Sequence, residues 1–464
     1  MGTFTGSMIR HFTLPFWTWR DHPRMRSYLR EFEGTQFISR SALQALQLRR
    51  VQKLLDHAYQ HCPFYRDRMT QVGFDPAGLQ SLDDLKALPL LTKRDIQNHG
   101  SELLAENYAA ESRVRNQTGG STGSPLQFYV DRERFDSRLA STTRHNQWAG
   151  LYLGEWCAEL WGARLDLMTQ EGWWDWCRNI FLYRLVQLNT SRIQPEDWEP
   201  FMARLRKKRI RFLVTYTQSA VLFARYLREK GIDDIRFQSI ITTAEVLLPG
   251  QREILEEAFQ ARVFNRYGCR ELSVIASECE HHRGMHVNAE ALLVEIVPDP
   301  AYPLPMGKIV ITDLLNYSMP FIRYEIGDVG HWADTQECPC GRGLPLLADV
   351  QGRITDFLIL PDGTHISGPS LTLVVADMAD VAQVQFVQRG PQSVGLRVVP
   401  GKNYGPQTRD ELRRRISLYL AGLADLSIEE VTSIASEASG KYRFVVNEME
   451  AKPLAEASTR GGQA

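Results

Sequence analysis

Between residues 212 and 259, short apolar runs alternate with amphipathic helical stretches, and no other feature constrains the chain as strongly. "FLVTY" (212–216) and "SIITTAE" (239–245) are separated by "QSAVLFARYLREKG" (218–231), and "PGQREILEEAF" (249–259) follows. A short run without polar interruption suits a strand covered on both faces. Strands separated by a helix can pair in parallel, because a parallel partner needs a long crossover. The middle of the chain therefore reads as a layered, mainly parallel α/β core.

The flanks follow other rules. Residues 41–70 place Leu43, Leu46, Leu48, Val51, Leu54, Leu55 and Ala58 at helical spacing and predict an amphipathic helix ending near Pro63. "LTKRDIQNHG" (91–100) predicts a short capped helix, "LQFYVD" (126–131) a strand, and residues 132–150 another helix. From residue 287 onward the pattern changes to short strands and turns: "ALLVEIV", "GKIVITDL" and "PFIRYEIGDVGHW". In "DFLILPDGTHI" the Asp362-Gly363 pair between apolar runs predicts a hairpin. Residues 370–464 read as helix, strand, strand, helix, strand. The fold class is α/β: a large layered N-terminal α/β domain over residues 1–353, and a small α+β C-terminal domain over 354–464. A chain of 464 residues is long enough for both.

Charge and cysteine content narrow the function classes. The formal net charge is -1, whereas a general nucleic-acid binder carries a basic excess. No apolar run approaches the roughly 18 residues of a membrane span. "MGTFTGSMIRHFTLPFWTWRDHP" at the N-terminus lacks the apolar core of a signal peptide. The seven cysteines then read as reduced thiols or metal ligands in a cytoplasmic protein.

"NQTGGSTGSPLQFYV" (116–130) concentrates Thr118, Gly119, Gly120, Ser121, Thr122 and Gly123 before Pro125. Such a loop can aim several backbone N–H groups and hydroxyls at an anion, with glycines allowing close approach. It has no lysine and is not the G-x-x-x-x-G-K-[ST] phosphate loop. Composition leaves a phosphate cradle and a flexible turn both open.

Five motifs in order bear on that choice. "TGGSTGSP" (118–125), "TTAE" (242–245) followed by "FNRYGCRE" (264–271), "RYEIGD" (323–328), "GRITD" (352–356) and "SGKYR" (439–443) together resemble the adenylate-forming superfamily, which includes the acyl-CoA synthetases. "HAYQHCPFYRDRM" and "LPLLTKRDIQ" further resemble its phenylacetate–CoA ligase-like branch and adenylating proteins of capsule biosynthesis. The resemblance implies ATP-dependent activation of a carboxylic acid to an acyl-adenylate. Transfer to a thiol follows, with coenzyme A as the expected acceptor. An amide-forming ligase with an amine acceptor is the alternative, and a non-catalytic nucleotide- or acyl-binding protein the different-class rival.

The implied residues are specific. Lys441, Glu271 and Thr122 would be catalytic, with Lys441 bridging the attacking carboxylate and the α-phosphate and Glu271 binding Mg²⁺. Thr118, Gly119, Gly120, Ser121, Thr122 and Gly123 would cradle the phosphates of ATP. Ala244, Glu245, Tyr267, Gly268, Asp328 and Arg353 would complete the ATP/AMP site, with Asp328 taking the ribose hydroxyls. Tyr267 is open between stacking on adenine and packing in the core. The C-terminal domain would be mobile, hinged at Asp356. Two departures stand out: Ser124-Pro125-Leu126 replaces the Pro-Lys of many relatives, and Cys269 stands where serine is usual.

A second group lies in "SECEHHRGMHVN" (277–288) and "ECPCGRG" (337–343). Thiolate and imidazole at such spacing suit tetrahedral zinc. Of Cys279, His281, His282, His286, Cys338 and Cys340, the reading takes Cys279, His286, Cys338 and Cys340 as ligands of a structural Zn²⁺. Candidates for the acid pocket are Trp161, Trp173, Trp174, Trp176, Tyr216 and Ala244, with Arg164 and Arg178 available to a polar acid. Arg409, Arg413, Arg414 and Arg415 in "TRDELRRRISLYLAGL" (408–423) are either a solvated helix face or a landing surface for the anionic end of coenzyme A.

Overall fold

The computed structural model describes residues 4–13, 20–117, 126–161, 173–190, 195–300, 302–351, 357–362, 365–367, 371, 378, 380–434 and 444–448. Strands β1 (Arg113–Gln117) and β2 (Gln127–Asp131) pair antiparallel, with Gln117 opposite Gln127. The Gly/Ser/Thr loop, itself outside the described residues, thus connects the two arms of a hairpin.

The main sheet is built from β3 (Cys157–Trp161), β4 (Leu185–Asn189), β5 (Phe212–Tyr216), β6 (Ser239–Thr243), β7 (Arg262–Cys269), β8 (Ser273–Glu278), β9 (Met285–Val287), β10 (Leu292–Pro298), β11 (Gly307–Asp313), β12 (Tyr324–Trp332) and β13 (Leu346–Gln351). Their spatial order is β10-β11-β12-β13-β9-β8-β7-β6-β5-β3-β4. Strands β3 to β7 are mutually parallel, and every pairing from β7 to β10 is antiparallel. Strand β7 is therefore the seam between the two halves.

The parallel half follows from its sequence. All five residues of β5 are buried, as a strand with both faces covered requires. Helices α4 (Trp198–Lys208), α5 (Thr217–Lys230) and α6 (Pro249–Phe259) lay Trp198, Phe201, Phe223 and Phe259 against Leu213, Ile240 and Val263. Each such side chain contributes about 1.5–3 kcal/mol on burial.

Helix α1 (Met25–Thr35) and α2 (Arg40–His61) cover the antiparallel half. The Ser39 hydroxyl caps α2 by accepting from the Ala42 amide at 3.2 Å. Helix α2 ends at His61, as expected near Pro63, with Cys62 in an extended conformation. A separate helix, Pro63–Gln71, starts there because proline at a first helical position has no amide to leave unsatisfied.

Helix α3 (Arg132–Trp148) is capped by Asp131, which accepts from the Arg134 amide at 2.6 Å. Its buried face is largely polar. Arg134 pairs with Asp313 at 2.8 Å and Arg144 with Glu290 at 2.5 Å, all four side chains being almost fully buried.

Toward the C-terminus, β14 (Phe357–Ile359) and β15 (His365–Ser367) form the expected hairpin. Then come β16 (Val381–Gly390), β17 (Ser393–Pro400), α7 (Pro406–Leu420), β18 (Asp425–Glu430) and β19 (Val445–Asn447), with sheet order β18-β17-β16-β19. Leu358, Phe386, Leu396, Leu412 and Ile416 share a separate core here. The helix expected near residue 370 lies mostly outside the described residues, and two strands rather than one follow α7. No described helix is long and apolar enough to cross a membrane.

Candidate active site

The parallel strands set the location of the site. From β3 the chain passes to β4 on one side, then crosses to β5 on the other. Ligands of open α/β sheets bind outside the carboxyl ends of the strands at such a reversal. The residues closing β3 and β5 are Trp161 and Tyr216, and their rings meet with centroids 4.7 Å apart. Ala244, just past β6, takes a left-handed conformation at φ 69°. The Glu245 carbonyl accepts from the Thr217 hydroxyl at 3.3 Å. Trp173 is instead largely exposed, at 68%. The Trp174 and Trp176 side chains and all of Arg164 are outside the described set.

At the seam, the β7–β8 register shifts opposite Tyr267 and Gly268, with Ile275 of β8 the extra residue. A Cβ at Gly268 would lie 2.5 Å from the Ser273 carbonyl oxygen, so this close approach requires glycine. Glu271 sits in the turn that follows, 6% exposed, and its Oε1 accepts from the Tyr324 hydroxyl at 3.4 Å. No ion pair engages Glu271 among the described residues. Asp328 follows Gly327, which bends β12 at φ 86°. Its Oδ2 accepts from the Tyr267 hydroxyl at 2.8 Å.

Strands β7 and β12 are four places apart in the sheet, about 19 Å if it were flat. A tyrosine cannot span that distance, so the antiparallel half curls back on itself. The curl gathers Tyr267, Glu271, Tyr324 and Asp328 into one place. Tyr324 had no assigned role from sequence, although it lies inside "RYEIGD". Its neighbour Arg323 is structural: it pairs with Glu295 at 3.0 Å and donates to the Lys86 carbonyl at 2.9 Å. Thr118, Gly119, Gly120, Ser121, Thr122, Gly123, Arg353, Asp356 and Lys441 lie outside the described residues.

The four expected metal ligands converge. Cys279 follows β8, His286 lies in β9, and Cys338 and Cys340 lie between β12 and β13. Their ligand atoms are all within 4.8 Å of one another. Cys279 Sγ is 3.6 Å from Cys338 Sγ, and Cys340 Sγ is 3.3 Å from His286 Nε2. Bonds of about 2.0–2.3 Å to one tetrahedral ion put its ligands at about this spacing. His286 Nδ1 faces the Leu344 carbonyl at 3.4 Å, an outer contact that would turn Nε2 toward an ion. Burial pushes the Cys279 thiol up to about 12 and the His286 imidazole down to about 4. The imidazole is thus neutral, as a ligand must be. His282 is directed elsewhere, with Nδ1 3.1 Å from Glu278 Oε2.

The arginines of α7 are engaged locally. Arg414 and Arg415 both reach Glu411, at 2.7 and 2.8 Å, Arg409 pairs with Glu430 at 2.8 Å, and Arg413 donates to the Leu426 carbonyl at 3.4 Å. Two carboxylates, Glu411 and Glu430, thus answer four arginines, and the pairing offsets only part of their positive charge.

Comparison with known proteins identifies the fold and the family. Residues 358–448 match the CapK C-terminal domain. The crystal structure of 2-hydroxyisobutyryl-CoA ligase in the postadenylation state, in complex with R3-HIB-AMP, gives a TM-score of 0.72 at 21% identity over 92% of each chain. The fold is that of the adenylate-forming ligases. The phenylacetate–coenzyme A ligase of Escherichia coli K12 is 34% identical over 343 residues, 68% of this chain and 72% of that one. The enzyme of that name from Thermus thermophilus is 26% identical over 341 residues, 70% and 73% of the two chains. The chain belongs to the phenylacetate–coenzyme A ligase family.

Proposed function

We propose that the protein is an AMP-forming acid–coenzyme A ligase. A carboxylate oxygen attacks the α-phosphorus of ATP and pyrophosphate leaves, giving an acyl-adenylate. The coenzyme A sulfur then bonds to the acyl carbon, the acyl C–O bond breaks with its electron pair leaving on the AMP oxygen, and the thiol proton is released. The observation that carries this reading is the gathering of Glu271, Tyr324, Tyr267 and Asp328 at the seam, in a chain of this family.

On this reading Asp328, held by Tyr267, accepts from the ribose diol. Glu271 is a nearly buried carboxylate without an ion pair among the described residues, and this donor fits Mg²⁺, which supplies charge neutralisation at the phosphates. Thr118–Gly123, with Thr122 among its hydroxyls, cradles the phosphates, and Arg353 contacts the nucleotide. Ala244, Glu245 and Gly268 border the nucleotide. Lys441, on a small unit spanning 354–464 and turning about Asp356, stabilises the charge of the first step and withdraws for the second. The acid lies at the crevice closed by Trp161 and Tyr216. Cys279, His286, Cys338 and Cys340 hold a structural Zn²⁺, since three thiols and an imidazole leave no open position. The working compartment on this reading is the cytoplasm.

The test is ATP–pyrophosphate exchange against a panel of aromatic and aliphatic acids, followed by AMP release with coenzyme A or an amine. Acid-dependent exchange and coenzyme A-stimulated AMP release are expected. Acceleration by an amine alone would make the protein an amide-forming ligase. Absence of exchange with every acid would leave it a binding protein.

A further inference from the structure

Two arginines one turn apart on α3 close on the three consecutive carbonyls that shape the β7–β8 turn. Arg134 Nη2 donates to the Leu272 carbonyl at 3.3 Å. Arg138 Nη1 donates to the Arg270 carbonyl at 3.4 Å, and its Nη2 to the Glu271 carbonyl. Their i,i+4 spacing sets both on one helix face.

The two are held differently. Arg134 has its own counter-charge, Asp313, and a contact to the Ser137 hydroxyl at 3.0 Å. Arg138 has no carboxylate at ion-pair distance among the described residues. Its guanidinium lies 6.0 Å from the Phe128 ring centroid, and its Nε is buried without a hydrogen-bond partner. Burial, with the Arg134 charge adding, pushes its pKa down to about 10. A buried cation without its own partner is costly. The cost is offset where the cation faces negative charge, and the groups here are Glu271 and Asp313.

The turn also needs an external hold. It combines a register shift at Ile275, opposite Tyr267–Gly268, with Ser273 in a left-handed conformation at φ 66°. Such backbone persists only where its surroundings fix it.

The geometry points to Arg138 as a positioning residue for acid activation: its grip on the Arg270 and Glu271 carbonyls fixes the turn that presents the Glu271 carboxylate to the cation of Mg·ATP. The inference rests on the reading of Glu271 given above. It predicts that loosening the turn weakens cation–nucleotide binding before it weakens anything else.

The experiment compares Arg138→Gln and Arg138→Lys with Glu271→Gln. One readout is Mn²⁺ affinity in the presence of ATP, followed by electron paramagnetic resonance without acid and hence without turnover. The other is the Mg²⁺ concentration that half-saturates acid-dependent pyrophosphate exchange. Arg138→Gln is expected to raise both at least tenfold. Arg138→Lys, which keeps the charge but loses the fork, raises them by a smaller factor. Thioester formation from supplied acyl-adenylate falls far less than exchange. Thermal unfolding identifies a variant that does not fold, and Arg138→Lys carries the test if Arg138→Gln fails. Folded Arg138 variants with unchanged Mn²⁺ and Mg²⁺ dependence, while Glu271→Gln shifts both, overturn the role of Arg138. If Glu271→Gln shifts neither, the reading of Glu271 is wrong and the inference falls with it.

Discussion

The Tyr267 hydroxyl donates to Asp328 Oδ2 at 2.8 Å, joining residues 61 positions apart on strands that are not neighbours in the sheet. The bond fixes the rotamer of a carboxylate proposed to hold a diol. A hydrogen bond to a charged acceptor contributes about 1.5–3 kcal/mol. Tyr267→Phe should therefore reduce pyrophosphate exchange at sub-saturating ATP by about 10- to 100-fold. Wild-type exchange at low ATP would show that the bond does not serve nucleotide binding.

Metal content is open to direct measurement. Elemental analysis of protein purified without added metal should give about one zinc per chain. Cys338→Ser should lose the ion and unfold at lower temperature, as should the wild type after chelation. Metal-free protein of full stability would contradict the cluster, and zinc retained in Cys338→Ser would remove that ligand.

The pH dependence of stability should carry the mark of His145. Burial, with Arg144 adding, holds its pKa well below the usual 6.5, so the imidazole is neutral in the fold. Below about pH 6.5 the unfolded chain takes up this proton and the folded chain does not. Stability therefore falls as pH falls beneath that value, by up to about 1.4 kcal/mol per pH unit for one group. His145→Gln should flatten the profile between about pH 6.5 and 5. Urea midpoints across this range check it, and an unchanged slope would assign the protons elsewhere.

Lys441 separates the half-reactions. If it serves acid activation alone, Lys441→Ala should lose exchange by several orders of magnitude yet still form thioester from supplied acyl-adenylate. The scale matches the loss of a group that stabilises transition-state charge, about 3–4 kcal/mol or more. Near-normal exchange would end this assignment.

Chemistry and position decided what could be read from sequence. Strands β5 and β6 are legible because burial on both faces is written as unbroken apolar character. The Cys279, His286, Cys338 and Cys340 cluster is legible because thiols and imidazoles are few and distinctive. The choice of His286 becomes clear only with the Leu344 carbonyl behind it and with Glu278 occupying His282. Helix α3 hides its inward face, because a buried arginine is spelled like a solvated one. The partners that explain Arg134, Arg138 and Arg144 lie 179, 133 and 146 residues away. Tyr324 escaped for a similar reason: only the curl of the sheet brings it to Glu271.

Strand β7 has one edge bonded to the parallel half and the other to the antiparallel half. Tyr267 and the Glu271 turn issue from it, yet their partners arrive on β12. They meet only when the antiparallel half rolls closed and carries β12 round to β7. Long-range pairings of this kind form late, after their loop-closure entropy has been overcome. The constellation proposed to hold the nucleotide thus exists only in the completed sheet, because its members meet through the last of these pairings.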